Sequence, residues 1–145
     1  MENKYLDYNR LYKVVDYVID IYPELSRDSF EEGSMFIYYP EERIIQISNV
    51  IDEIELEGNK FLEKYLFEEF DLYIQQDKMF IFSILHEIGH YFTFDMNNYD
   101  EYCKMLRDIT DDDFAKYRKI PEEYKADKWA VEFIKNNIDI MEVLL

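Results

Sequence analysis

The chain contains two histidines, and they stand four residues apart in His86-Glu87-Ile88-Gly89-His90. On an α-helix, positions four apart lie one turn above each other on the same face. Two imidazoles at that spacing can hold one metal ion together. Glu87, about 100° further round the helix, falls beside the ion, where a carboxylate can take a proton from a bound water. The segment before the pair, Met79-Phe80-Ile81-Phe82-Ser83-Ile84-Leu85, is almost wholly apolar, and Tyr91-Phe92 follow it. A helix apolar on most sides is an interior helix, and histidines placed there need partners. Gly89 costs about 1 kcal/mol of helix propensity relative to alanine; its expected use is the close approach of another backbone.

Two imidazoles leave a catalytic zinc one protein ligand short, because such sites hold three and a water. With no third histidine, that ligand is a carboxylate or Cys103. Glu123-Tyr124-Lys125-Ala126-Asp127 offers two carboxylates on one helical face. Glu123 is the expected ligand, and Asp127 the expected acceptor for the outer N–H of a ligating histidine, fixing its tautomer. Glu122 points about 100° away and has no such companion. Cys103 remains the rival, since a thiolate binds zinc well. Small Ala126 would let this helix approach the histidine helix, with Trp129, Ala130, Phe133 and Ile134 covering the rest of its face. Imidazole and carboxylate donors point to zinc, with other divalent ions possible.

The elements that must position these residues follow from pattern. Leu11, Val14, Val15, Val18, Tyr22 and Leu25 form one stripe of a helix over residues 5–25, which Pro23 ends or distorts. Glu31-Glu32-Gly33 reads as a turn before two strands, Ser34–Tyr39 and Arg43–Ser48, joined as a hairpin. Ile54 and Leu56 alternate with Glu53, Glu55 and Glu57, the pattern of a third, edge-like strand. Gly58-Asn59 opens a helix to about Tyr73, with Leu62, Tyr65, Leu66, Phe70 and Tyr73 inward. Asp77 is the expected N-cap of the histidine helix. A helix over residues 100–109 follows, then Thr110 capping an acidic first turn at Asp111-Asp112-Asp113. Pro121 suits the first turn of a last helix ending near Asn136.

At 145 residues the chain is expected to form a single domain spanning residues 1–145. Its 48% hydrophobic and 34% charged residues are those of a folded chain. No apolar run approaches the ~20 residues that cross a bilayer. The start, Met1-Glu2-Asn3-Lys4, lacks the basic and apolar regions of a signal peptide, and one cysteine excludes an internal disulfide; both fit the cytoplasm. A net charge of −17 argues against nucleic acid as a direct ligand and favours a basic partner or simple solubility. The 14 tyrosines and 11 phenylalanines read as a compositional bias rather than a binding surface.

Phe82-Ser83-Ile84-Leu85-His86-Glu87-Ile88-Gly89-His90-Tyr91-Phe92, taken with Glu123-Tyr124-Lys125-Ala126-Asp127-Lys128-Trp129-Ala130, resembles the ImmA/IrrE family of gluzincin-like metallopeptidases. Arg43–Asn49 is similar to the strand before that family's active-site helix, so the likeness covers roughly residues 33–134. It implies His86, His90 and Glu123 as metal ligands, Glu87 as general base, and Asp127 at the second motif's last acidic or amide position. It also implies a protein substrate, commonly a helix-turn-helix repressor. The sequence departs from the family after the second motif, where Ile134 leads into Lys135-Asn136-Asn137 instead of an apolar Leu-Leu-Met-Pro-like segment.

The expectation is therefore an α+β, zincin-like metallopeptidase domain, mostly helical with a small antiparallel sheet. Its reaction would be metal-assisted peptide hydrolysis, with a sheet edge open to an extended peptide. Tyr117, Tyr124 and Arg118 are the nearby candidates for an oxyanion donor. Two other classes are an inactive zincin-fold interaction protein and an acidic DNA mimic that blocks a basic partner. An intact Glu87 argues against the first, and a mimic needs no H-E-x-x-H.

Overall fold

The computed structural model describes residues 6–51, 53–110 and 113–144. Asp7 starts the first helix, α1 (Tyr8–Ile21), by accepting the Arg10 N–H at 3.2 Å. The stripe Leu11, Val14, Val15 and Val18 is fully buried. The helix stops before Pro23 because the proline ring disfavours helical backbone at Tyr22, which is extended at φ −115°.

The sheet is mixed rather than antiparallel. The expected hairpin is present as β2 (Ile37–Tyr39) and β3 (Ile44–Ser48), turning through Arg43 at φ 56°. Glu31–Gly33, expected as a turn, belongs instead to β1 (Phe30–Gly33), which pairs parallel to β3 and gives the order β1-β3-β2. The buried Ile45 and Ile47 put β3 in the centre, where backbone groups on both edges need partners, and β1 supplies the second set. A Cβ at Gly33 would meet the end of the Gln46 side chain, which is flexible enough to move aside.

The third strand is also corrected. Residues from Glu53 onward are helical, in α2 (Glu53–Phe70), with Glu53 and Glu55 in a first turn that favours negative charge. The helical period of Leu62 and Leu66, both buried, overrides the short alternation before it. Gly58 lies inside the helix, against the Phe114 ring, rather than opening it. The helix ends at Asp71 (φ 54°), so Tyr73 is 61% exposed and Leu72 and Ile74 turn inward in its place.

The central helix α3 (Met79–Thr93) is buried from Met79 through His90 except at Ser83. Asp77 does not cap it. A 3₁₀ turn at Gln76–Lys78 comes first, its Gln76 carbonyl accepting the Met79 N–H, and no side chain caps the helix. The chain continues through α4 (Tyr99–Arg107) and α5 (Phe114–Lys119). Asp113 rather than Thr110 caps α5, accepting the Lys116 N–H at 3.2 Å; Asp111 and Asp112 lie outside the described residues. The last expected helix is α6 (Pro121–Asn136), followed by α7 (Ile138–Leu144).

The architecture is α+β and mostly helical, with α3 between the sheet, α1 and α6. Gly89 sits where α3 meets α6: a Cβ there would lie 2.8 Å from the Ala126 carbonyl oxygen and 3.2 Å from its Cα. The expected close approach of two backbones is thus present, between glycine on one helix and alanine on the other. Among the described residues, no helix is long and apolar enough to cross a membrane.

Candidate metal centre

The Gly89–Ala126 contact brings the two helices close enough for their polar side chains to meet in the core. His86 and His90 project from successive turns of α3, and Glu123 faces them from the first turn of α6. The carboxylate bridges both rings: Glu123 Oε2 is 3.2 Å from His86 Nε2 and 2.8 Å from His90 Nε2. One donor atom from each of the three residues falls within 4.8 Å of the others, and all three side chains are buried. Asp127, one turn further along α6, accepts the His86 Nδ1–H at 2.7 Å and so turns the ring's Nε2 toward Glu123. Glu87 is buried beside this group, its Oε1 3.8 Å from His86 Nε2.

Further hydrogen bonds hold the carboxylates. Arg118 Nη1 donates to Asp127 Oδ1 at 2.6 Å, and the Tyr65 hydroxyl to Asp127 Oδ2 at 3.1 Å. Tyr102 and Tyr117 both donate to Glu123 Oε1, at 3.1 and 2.5 Å. From the sheet, Tyr38 stacks on His90 with ring centres 6.2 Å apart and planes 12° from parallel.

The ionisation of the cluster follows from burial and close opposite charges. Burial pushes the Glu87 carboxyl up, and the pull of the two histidines does not cancel it. Burial acts the same way on Glu123, but there His90 and His86 prevail and hold the carboxyl well below its usual range. Burial depresses His86; Glu123 and Asp127 outweigh it and raise the ring to about 10. The Tyr117 phenol is pushed far up by burial and by Glu123, and Tyr102 rises for the same reasons, so both stay O–H donors at neutral pH.

The donor set fits a divalent cation. Glu87, Glu123 and Asp127 oppose one guanidinium, Arg118, all inside the protein. With both imidazoles neutral, two negative charges are uncompensated, and a doubly charged ion balances them. Without an ion, protons bound within the cluster must do so, and the raised His86 is one place that holds such a proton. Nitrogen and oxygen donors are the set that zinc takes in catalytic sites.

The sequence-predicted residues divide clearly. His86, His90, Glu87, Glu123 and Asp127 come together, and Tyr117 and Arg118 join them. Cys103 stays outside the His86–His90–Glu123 group. Glu122 is buried but turned elsewhere, accepting from the Asp95 N–H and Asn98 Nδ2 and pairing with Lys125. Tyr124 is 38% exposed and bonds Glu69 at the surface. Arg118 is committed to Asp127. The sequence missed Tyr102 altogether, one tyrosine among 14 with no local pattern to mark it. Tyr65 was legible as an inward-facing residue of a helix and Tyr38 as part of a strand, but neither as a support of a site.

No family model matches this sequence, and no curated protein or solved structure matches it either.

Proposed function

We propose that the chain is a zinc-dependent endopeptidase with a zincin-like fold. The observation that carries this reading is the buried His86–His90–Glu123 group with Glu87 beside it: three donors and a base, the composition of a hydrolytic zinc site. His86, His90 and Glu123 would hold the ion, which would polarise a scissile carbonyl and acidify a water. Glu87 would accept the water's proton and return one to the leaving amine; its raised pKa, set by burial, brings it closer to the range useful for that exchange. Asp127 keeps His86 in one tautomer, and Arg118 and Tyr65 keep Asp127 in place. Of the three donors considered for a developing oxyanion, Tyr117 has the best position, with Tyr102 next to it. Tyr124 is too far out, Arg118 is needed by Asp127, and either tyrosine would turn its hydroxyl from Glu123 to the oxyanion.

The substrate is a protein, with a helix-turn-helix repressor as the reading that the family resemblance supports. The net charge of −17 agrees with it, because an acidic protein attracts the basic surface by which a repressor holds DNA, and more weakly as salt rises. The test incubates zinc-loaded protein, its Glu87→Gln form and its His90→Ala form with such a repressor and with an unrelated basic protein. Glu87→Gln should retain zinc and lose cleavage; His90→Ala should lose both. Undiminished cleavage by Glu87→Gln ends the mechanism. Equal cutting of both basic proteins ends the claim of specificity, and cutting of neither turns the reading toward a binding protein.

A further inference from the structure

A cavity of about 370 Å³ shares His86 and Glu87 with the metal centre and extends away from it between α2, α3, α4 and α5. Its walls mix apolar and polar groups: Phe61, Phe82 and Phe114 face it from three different helices, beside Glu55, Thr110 and Asp113. Two polar side chains on its α2 wall, Glu55 and Asn59, have no role in the centre. Asn59 is 6% exposed, and its Nδ2 finds no hydrogen-bond partner among the described residues. A buried amide N–H without an acceptor is costly, so its presence on the wall of a cavity next to a reactive group indicates what the cavity receives.

We propose that this cavity receives a tyrosine side chain flanking the bond to be cut, with Asn59 donating to the phenol oxygen. The proposal rests on the peptidase reading above and deepens it. Rings surrounding a cavity on several sides favour an aromatic guest, by edge and face contacts as well as by burial. The volume is within the range of ligand-sized pockets and leaves room for a large side chain. The amide selects within that class. Phenylalanine leaves Asn59 unpaired, whereas tyrosine satisfies it at the far tip of the ring. A pocket built to hydrogen-bond a hydroxyl discriminates strongly against the guest that lacks it. Asn59 is thus a specificity residue that touches substrate, and the proton chemistry stays with Glu87.

The experiment separates this proposal from the reading on which it rests. Zinc-loaded protein is titrated with p-cresol and with toluene, the side-chain analogues of tyrosine and phenylalanine, while methyl NMR signals of Leu62 and Ile109 are followed. The same protein is then given a degenerate peptide library, and cleaved bonds are read by mass spectrometry. The wild type should bind p-cresol about tenfold more tightly than toluene, the factor one ordinary hydrogen bond supplies. Asn59→Leu should reverse that order, and cleaved bonds should be flanked by tyrosine over phenylalanine. The wild-type ratio needs no variant to fold: equal binding, tighter toluene or no binding of either overturns the proposal. Cleavage without a tyrosine preference also overturns it, with the peptidase reading intact. Selective p-cresol binding with no peptide cut sinks the peptidase reading and the substrate assignment with it.

Discussion

The metal centre has two walls built on opposite principles. On one side, α3 and α6 pack backbone to backbone at Gly89 and Ala126, and nearly every side chain facing the contact is buried. On the other side, α4 and α5 are nine and six residues long and contain no fully buried residue. Yet each delivers one tyrosine hydroxyl to the same oxygen of Glu123. The first wall holds the residues that must keep fixed distances from one another. The second brings donors and a cavity to them through long side chains reaching in from half-exposed helices. Rigid positioning and access to substrate are therefore assigned to different elements, consistent with the tendency of functional, movable pieces to come from the less stable end of a fold.

The contrast breaks most severely at Asp127. Its two oxygens serve His86, Arg118 and Tyr65, so Asp127→Ala strands a buried guanidinium and a buried imidazole together. Removing one partner of such a pair costs about 3–5 kcal/mol, and chemical denaturation of metal-free protein should show a loss of that size. A loss below ~1 kcal/mol would mean that the network is not structural.

Packing alone is tested next, at Gly89. Alanine recovers about 1 kcal/mol of helix propensity, but its Cβ would press on the Ala126 carbonyl at 2.8 Å. Overpacking costs typically 1–3 kcal/mol, so Gly89→Ala should be net destabilising and should weaken zinc binding by separating α3 from α6. An increase in thermal stability would show that the helices part freely. At the opposite wall, Asp113→Ala removes the cap of α5 at about 1 kcal/mol of local stability. Because the residues of α5 are only half-buried or exposed, global unfolding should change less than hydrogen exchange within α5 itself. Equal changes in the two measurements would place α5 in the rigid half after all.

Proton competition sharpens the comparison further. In metal-free protein His86 rises from 6.5 to about 10, because Glu123 and Asp127 outweigh burial. A raised histidine contributes its full stability below about 6.5 and loses it progressively as pH climbs toward 10. Glu123 works in the opposite sense: its depressed pKa contributes above about 4.5, and that part is lost as pH falls. Metal-free protein should therefore lose thermal stability between about pH 6.5 and 10. Zinc-loaded protein should not, since its ligands are already deprotonated. The gap between the two melting temperatures should widen with pH, and a constant gap would detach His86 from the ion.

How much of this was legible in advance depends on where the information lies. The H-E-x-x-H spacing is local: one helical turn places His86 and His90 together whatever surrounds them. The i, i+4 relation of Glu123 to Asp127, the small residues Gly89 and Ala126, and the boundaries of α6 are local in the same way, and each is found in the fold as expected. Strand and cap assignments were less secure, because they depend on which neighbour supplies hydrogen bonds. β1 is a strand only because β3 has a second edge to fill, and residues 53–57 are helical only because the helix beyond them is. Asp77 lost its cap to a backbone turn. What the sequence could not contain is which of several distant side chains arrives at the site. Tyr102 reaches Glu123, Tyr65 reaches Asp127, and Asn59 faces a cavity instead of solvent. Those outcomes are set by how helices remote in sequence stack around α3, and only the packed tertiary structure decides them.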